Sequence, residues 1–165
     1  MNFERAIEAA TRQPSDAYSW LGQVLTNFAV AEQALGELSL ALGWSIANGS
    51  LGSLEAIRRK LRSTDNRKAK TLDKRIERWC GNRPVRHLLA HATITLLMDV
   101  DGNPVVLTRH LPRDKEDVTP DRLWTVAERI EILRQASADG RSIKDHVRGL
   151  LADKTIMQKL RSAAD

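Results

Sequence analysis

The sequence predicts a mainly α-helical protein: a bundle of four to six helices into which one small β-hairpin is inserted. Apolar residues recur at steps of three and four along most of the chain, which is the period of an amphipathic helix. One short stretch, residues 93–98, is instead β-branched and apolar, and a turn signal follows it. With 165 residues, no repeats and no low-complexity linker, we expect one domain over residues 1–165.

The first predicted elements are a helical lead-in over residues 1–14, closed by its final proline, and a long helix. Ser15 or Asp16 caps this helix, which runs to about residue 42. Its apolar stripe comprises Leu21, Leu25, Phe28, Leu35 and Leu42. Glu32 occupies one slot on the stripe, and a carboxylate on a buried seam needs a cationic partner. Glu32 is therefore either an orienting group for a site or half of a structural ion pair.

Three shorter helices are predicted next, and with the long helix they form bundle residues 15–92. The first spans Leu54 to about Leu61, and the second is a basic helix over residues 67–79 with its apolar positions inward. A stop-and-start signal, Gly81-Asn82-Arg83-Pro84, separates it from a third helix that ends soon after His91.

A β-hairpin within residues 93–109 follows. Its strands are residues 93–98 and 104–108, and the turn signal between them is Asp101-Gly102-Asn103. Residues 110–117 read as a charged loop.

Two C-terminal helices over residues 119–161 complete the prediction. Thr119-Pro120-Asp121 signals the start of the first, which runs to about Ala138. Its expected core face comprises Leu123, Val126, Ala127, Ile130 and Leu133. Asp139-Gly140 ends this helix, and Ser142 opens the last one, which runs to about Arg161.

Composition limits the class of protein. The single cysteine, Cys80, forms no internal disulfide and supplies no metal cluster, which fits a reducing compartment. The N-terminus has no apolar run of signal-peptide length, and no stretch approaches the length of a membrane span. We therefore expect a cytoplasmic protein with no membrane partner.

The positive charge of the chain is local. Between Arg58 and Arg86 there are twelve lysines and arginines but three acids, whereas the remainder is net acidic. Such a segment suits a polyanion such as nucleic acid, and the alternative is a solvated helix face. The candidate nucleic-acid-binding residues are Arg67, Lys68, Lys70, Lys74, Arg75, Arg78 and Arg83.

The strongest candidate for chemistry is the hexapeptide Arg86-His87-Leu88-Leu89-Ala90-His91. Arginine binds phosphate oxygens with two parallel N–H donors, and histidine moves protons near neutral pH. On a helix His87 and His91 lie about 40° apart, whereas Arg86 and His91 lie about 140° apart. A homodimer in which two such helices meet across a two-fold axis would bring arginines and histidines from both chains into one cleft.

Two other interpretations of the hexapeptide stay open. The His87-x-x-x-His91 spacing suits two zinc ligands, but the glutamate of a metalloprotease helix is missing and no third ligand is evident nearby. We therefore predict no metal and no cofactor. The second interpretation is a structural network within a helical scaffold, in which Arg86, His91 and Glu32 satisfy one another.

The hexapeptide resembles the Arg-(four to six residues)-His signature of the HEPN superfamily, whose members are helical bundles with this motif near the end of a late helix. The segment around Glu32, Val30-Ala31-Glu32-Gln33-Ala34-Leu35, is similar to the first bundle helix of such domains. The resemblance implies a HEPN-like fold and a dimeric, metal-independent endoribonuclease, often the toxin of a toxin–antitoxin or phage-defence system. An antitoxin protein is then a further partner.

By the same resemblance, His91 is the general base on the ribose 2′-hydroxyl and Arg86 holds the scissile phosphate. His87 orients the phosphate or serves as the acid, and Glu32 positions Arg86 or His91. This chain departs from the family where nucleotidyl transfer silences the toxin, because it has Thr93 in place of the tyrosine two residues after the histidine. The alternative function is a non-catalytic HEPN-like dimer that binds nucleic acid or a protein partner.

Overall fold

The computed structural model describes residues 3–43, 51–110 and 120–162, with side chains from Ala17 in the first range and from Leu54 in the second. Over these residues the chain is mainly helical, as predicted, with a small antiparallel sheet. The elements are α1 (Phe3–Ala41), α2 (Leu51–Ser63), α3 (Arg67–Gly81), α4 (Arg83–His91), β1 (Ala92–Met98), β2 (Pro104–His110), β3 (Arg122–Trp124), α5 (Val126–Leu151) and α6 (Lys154–Ser162). None of the helices in these ranges combines the length and apolar character of a membrane-spanning segment.

The chain divides into two compact units. The first comprises Met1–Thr26 and Arg83–Ala136, and the second comprises Asn27–Asn82 and Ser137–Asp165. Helices α1 and α5 each contribute one part to both units.

The first unit contains the three-stranded sheet, in the order β1-β2-β3. The predicted hairpin is confirmed, and β1 pairs with β2 from Ala92 opposite His110 to Met98 opposite Pro104. Its turn is a three-residue loop: Gly102 N–H donates to Asp99 O at 3.0 Å and Asp99 N–H donates to Asn103 O at 2.9 Å. Gly102 has a φ of +81°, which glycine adopts without the steric cost of a side chain.

Two tryptophans form the aromatic core of this unit. Trp124 on β3 is buried, and its Nε1–H donates to the buried Thr108 Oγ1 at 3.0 Å. Its ring lies 5.7 Å from that of Trp20 on α1, whose Nε1–H donates to Arg129 O on α5 at 2.8 Å. Both indoles thus bury a large apolar area with their N–H groups satisfied.

The second unit is helical. Helices α2 and α3 pack together through Ile57, Leu61, Leu72 and Ile76, all buried. At the edge of this contact Arg58 donates to Asp73 at 2.9 Å and to Glu77 at 2.8 Å. Trp79 lies on the same face of α3 as Leu72 and Ile76, and its ring is 6.2 Å from that of Phe28 on α1.

The structure corrects the prediction at the N-terminus. Helix α1 continues through Pro14 instead of beginning after a lead-in over residues 1–14. A proline removes one backbone hydrogen bond from a helix, but Ala9, Ala10 and Gln13 before it are good helix formers, so the break predicted from the proline alone was wrong.

The C-terminal prediction was wrong in three respects. Thr119 lies outside the described residues, and no helix begins at Pro120-Asp121, because residues 122–124 form β3. Helix α5 begins later and continues through Asp139-Gly140 to Leu151. Of the expected core face, Leu123, Val126 and Ile130 are 55%, 41% and 64% exposed, because they fall on the solvent side of the sheet and of the shifted helix.

Candidate active site

Helix α4 carries the Arg–His motif in the first unit. It follows α3 after a single residue, Asn82, whose N–H donates to Trp79 O. Buried Leu88 and Leu89 anchor one side of this short helix. His87 and His91 are exposed on it and Arg86 is half-buried. The motif therefore lies on a helix that is anchored by buried side chains, and both imidazoles are accessible from solvent.

Three histidine rings lie together around the end of α4. The His87 and His91 ring centroids are 4.7 Å apart, as their spacing of four residues predicts. The His110 ring, from the last residue of β2, is buried and lies 6.0 Å from the His87 ring. The grouping therefore consists of two neighbouring imidazoles that solvent can reach, His87 and His91, and one buried imidazole, His110. Imidazoles can transfer protons near neutral pH.

The sequence prediction missed His110 because it ended the second strand at Thr108 and assigned residue 110 to a loop. The register explains its position. Pairing continues to Ala92 opposite His110, so the hairpin returns the chain to the residue that directly follows His91. The sequence could have predicted this position. In an antiparallel pair each residue of one strand has a fixed partner on the other, so counting outward from the predicted turn places residue 110 opposite residue 92.

Glu32 is half-buried on α1, within the second unit, while the Arg–His motif belongs to the first. Its assignment as a positioning group stays a prediction. Within residues 17–43, 54–110 and 120–162, no three histidine, cysteine or carboxylate side chains are grouped so as to hold a metal ion.

The seven candidate nucleic-acid-binding cations differ in how they are engaged. Three have carboxylate partners in the second unit: Lys68 Nζ lies 3.1 Å from Asp153, Lys70 Nζ lies 2.8 Å from Asp65, and Arg78 pairs with the buried Asp139. Arg83 is half-buried at the start of α4.

The other three, Arg67, Lys74 and Arg75, make no ion pair with any residue in the described ranges, and Arg67 and Lys74 are exposed. Arg67, Lys70 and Lys74 line an open cavity of about 360 Å³ at the start of α3, together with Asp65 and Thr71. Three cations against one carboxylate give this cavity a net positive lining, and a phosphate-sized anion fits its charge.

No known protein-family model matches this sequence, and neither a curated protein nor a solved structure shows significant similarity to it.

Proposed function

We propose that this protein is a homodimeric, metal-independent endoribonuclease of the HEPN type. The observation that supports this most is the grouping of the His87, His91 and His110 rings at the end of α4, the helix that also carries Arg86. Metal-free cleavage of RNA needs a base, an acid and a cation for the phosphate, and this short segment offers all three.

The proposed reaction is a transfer within the RNA strand. His91 accepts the proton of the ribose 2′-hydroxyl as the 2′-oxygen attacks the adjacent phosphorus. The bond from phosphorus to the 5′-oxygen breaks, leaving a 2′,3′-cyclic phosphate, and His87 donates a proton to the departing 5′-oxygen. Arg86 donates to the non-bridging oxygens, where negative charge develops.

Arg67, Lys74 and Arg75, which make no ion pair with any residue that the structure describes, suit binding of the RNA backbone. Phosphate contacts by Lys and Arg give affinity that falls steeply with salt and depends little on sequence. The same cations favour the second candidate function, a non-catalytic dimer that binds nucleic acid, because binding alone needs nothing from the histidines. Membership of a toxin–antitoxin or phage-defence system, with an antitoxin partner, is part of the proposal and follows from the resemblance of the motif.

Cleavage of a labelled RNA oligonucleotide in the presence of EDTA tests the proposal. We expect products with 2′,3′-cyclic phosphate ends, and no cleavage where a deoxyribose replaces the ribose at the scissile position. His91→Ala should lower the rate by about 10²–10⁴-fold, and Arg86→Ala by about 10²–10³-fold. His146→Ala is the matched control, because this histidine lies on α5 in the second unit, hydrogen-bonded to Ser142 O.

Binding and melting measurements separate the alternatives. RNA binding by wild-type protein without any cleavage would favour the non-catalytic dimer. Absence of RNA binding, together with a lowered melting temperature for Arg86→Ala and His91→Ala, would instead support a structural role for the motif. Cleavage that survives His91→Ala, or that requires a divalent metal, would contradict the proposed chemistry.

A further inference from the structure

The two edges of the sheet in the first unit are built differently. Strand β3 has three residues, follows Pro120 and Asp121, and carries Arg122. Short length, proline and charge are the features by which proteins prevent an edge strand from pairing with another chain. Strand β1 has none of them: its seven residues, Ala-Thr-Ile-Thr-Leu-Leu-Met, contain no charge and no proline, and they pair with β2 one to one without a bulge.

The backbone of β1 presents hydrogen-bonding groups on its outer edge. Asp99 N–H donates toward β2, so the alternate residues 93, 95 and 97 also direct their backbone groups to β2. Ala92, Ile94, Leu96 and Met98 then direct theirs outward, and no described segment forms a strand beside them. An unguarded edge with a row of donors and acceptors is a template for another strand.

We propose that β1 pairs with β1 of a second copy of this chain, antiparallel and centred on Thr95, to form a continuous six-stranded sheet. Full overlap of the strands sets this register. Ile94 then faces Leu96 of the partner subunit, so the outward backbone groups of the two strands meet. Exposed Leu97 and Met98 are covered by Thr93 of the partner subunit and Ala92 of the partner subunit.

Charge complementarity identifies the occupant as a second copy. The same register brings the acidic turn of one chain, with Asp99 and Asp101, to the end of the partner's α4. Helix α4 carries Arg83, Arg86, His87 and His91 and no acid. Hydrogen bonds from Asn103 hold the pKa of Asp99 below its ordinary value, so this turn stays anionic.

The pairing has a consequence for the histidine cluster. His91 and His91 of the partner subunit lie eight residues apart along the paired strands, or about 27 Å. The histidine cluster of each chain would therefore act with Arg86 of the same chain and would lie beside Asp99 of the partner subunit. The two motifs would not share the single cleft expected from the sequence. The interface itself does not depend on the proposed ribonuclease chemistry, because it rests on the edge strand and the turn.

Crosslinking tests the register directly. Residues 95 of the two chains form a pair that is not hydrogen-bonded, with Cα atoms about 4.5 Å apart, which lies within the range of a disulfide. Thr95→Cys in a Cys80→Ser background should oxidise to a covalent dimer. Leu123→Cys in the same background is the matched control, since it is exposed on the same sheet face but on β3, and it should stay uncrosslinked.

Charge variants test the interface without a covalent bond. Thr95→Lys and Thr95→Glu place like charges opposite each other across the two-fold axis, and each should weaken the dimer several-fold, by about 5-fold or more in Kd, in sedimentation experiments. Mixing the two variants should restore dimers, and Leu123→Lys should dimerise as wild type does. A monomeric wild-type protein, or Thr95 variants that dimerise unchanged, would overturn the proposal, whether or not the protein cleaves RNA.

Discussion

Gly140 in the middle of α5 should be intolerant of a side chain. A Cβ built on Gly140 lies 2.5 Å from the backbone oxygen of Asn27 on α1, a distance that real Cβ atoms essentially never show. The obstacle is backbone and not the mobile end of a side chain, so the two helices must move apart to relieve it. Overpacking of this kind costs about 1–3 kcal/mol.

Gly36→Ala is the matched control for this prediction. Gly36 is also helical and also in the second unit, but a Cβ there meets nothing within 4 Å. Both substitutions gain the same helix propensity, about 1 kcal/mol over glycine. The difference between the free energies of unfolding of the two variants therefore measures the cost of the steric clash at residue 140. Urea denaturation followed by tryptophan fluorescence and circular dichroism should place Gly140→Ala about 1–3 kcal/mol below Gly36→Ala in free energy of unfolding.

Equal stabilities of these two variants would refute the reasoning, since they would mean that α1 and α5 do not approach each other as closely as the structure has them. A fall in the m-value of Gly140→Ala alone would point to a change in cooperativity and would not measure the clash.

Two further predictions concern the α3 cations and the start of α5. Lys74→Ala should weaken RNA binding and lower the slope of log K against log salt by about 1, while Lys68→Ala, whose amine already pairs with Asp153, should change the slope less. Thr125→Ala should cost about 1 kcal/mol, measured by urea denaturation, because Thr125 and Glu128 exchange hydrogen bonds as a capping box. The backbone N–H of Thr125 and, second, its hydroxyl lower the pKa of Glu128. The stability that the Glu128 carboxylate contributes should therefore be complete above the ordinary carboxyl pKa and lost as the pH falls through the lowered value.

Local signals were sufficient for the middle of the chain. Helix α3 begins where expected because Asn66 accepts from the N–H groups of Lys68 and Ala69, a cap that sequence encodes within four residues. Helix α4 begins and ends at the expected signals, and the turn at Gly102 predicted the hairpin. Each of these features depends on neighbours in sequence, so a single sequence contains the information.

The errors occurred where distant parts of the chain decide the structure. Strand β3 is three residues long and exists through its pairing with β2, so it leaves no periodicity to detect. Asp139 and Gly140 resemble a helix stop, yet Asp139 is buried against Arg78 and Gly140 lies against α1. Tertiary contacts override the helix-stop propensity at both positions. The Thr125-x-x-Glu128 capping box was a local signal that sequence analysis could have used.

The candidate functional residues divide between the two units, and this division makes the proposed function testable in parts. The Arg–His motif and His110 belong to the first unit, whereas Arg67 and Lys74 belong to the second. If the cations bind the backbone and the histidines cleave it, Lys74→Ala should raise KM with little change in kcat, and His91→Ala should lower kcat with little change in affinity. If either variant both raised KM and lowered kcat, the cations and the histidines would act as one site. If Lys74→Ala changes neither KM nor kcat, the basic face of α3 is a solvated surface. If His91→Ala changes neither, the proposed chemistry is contradicted.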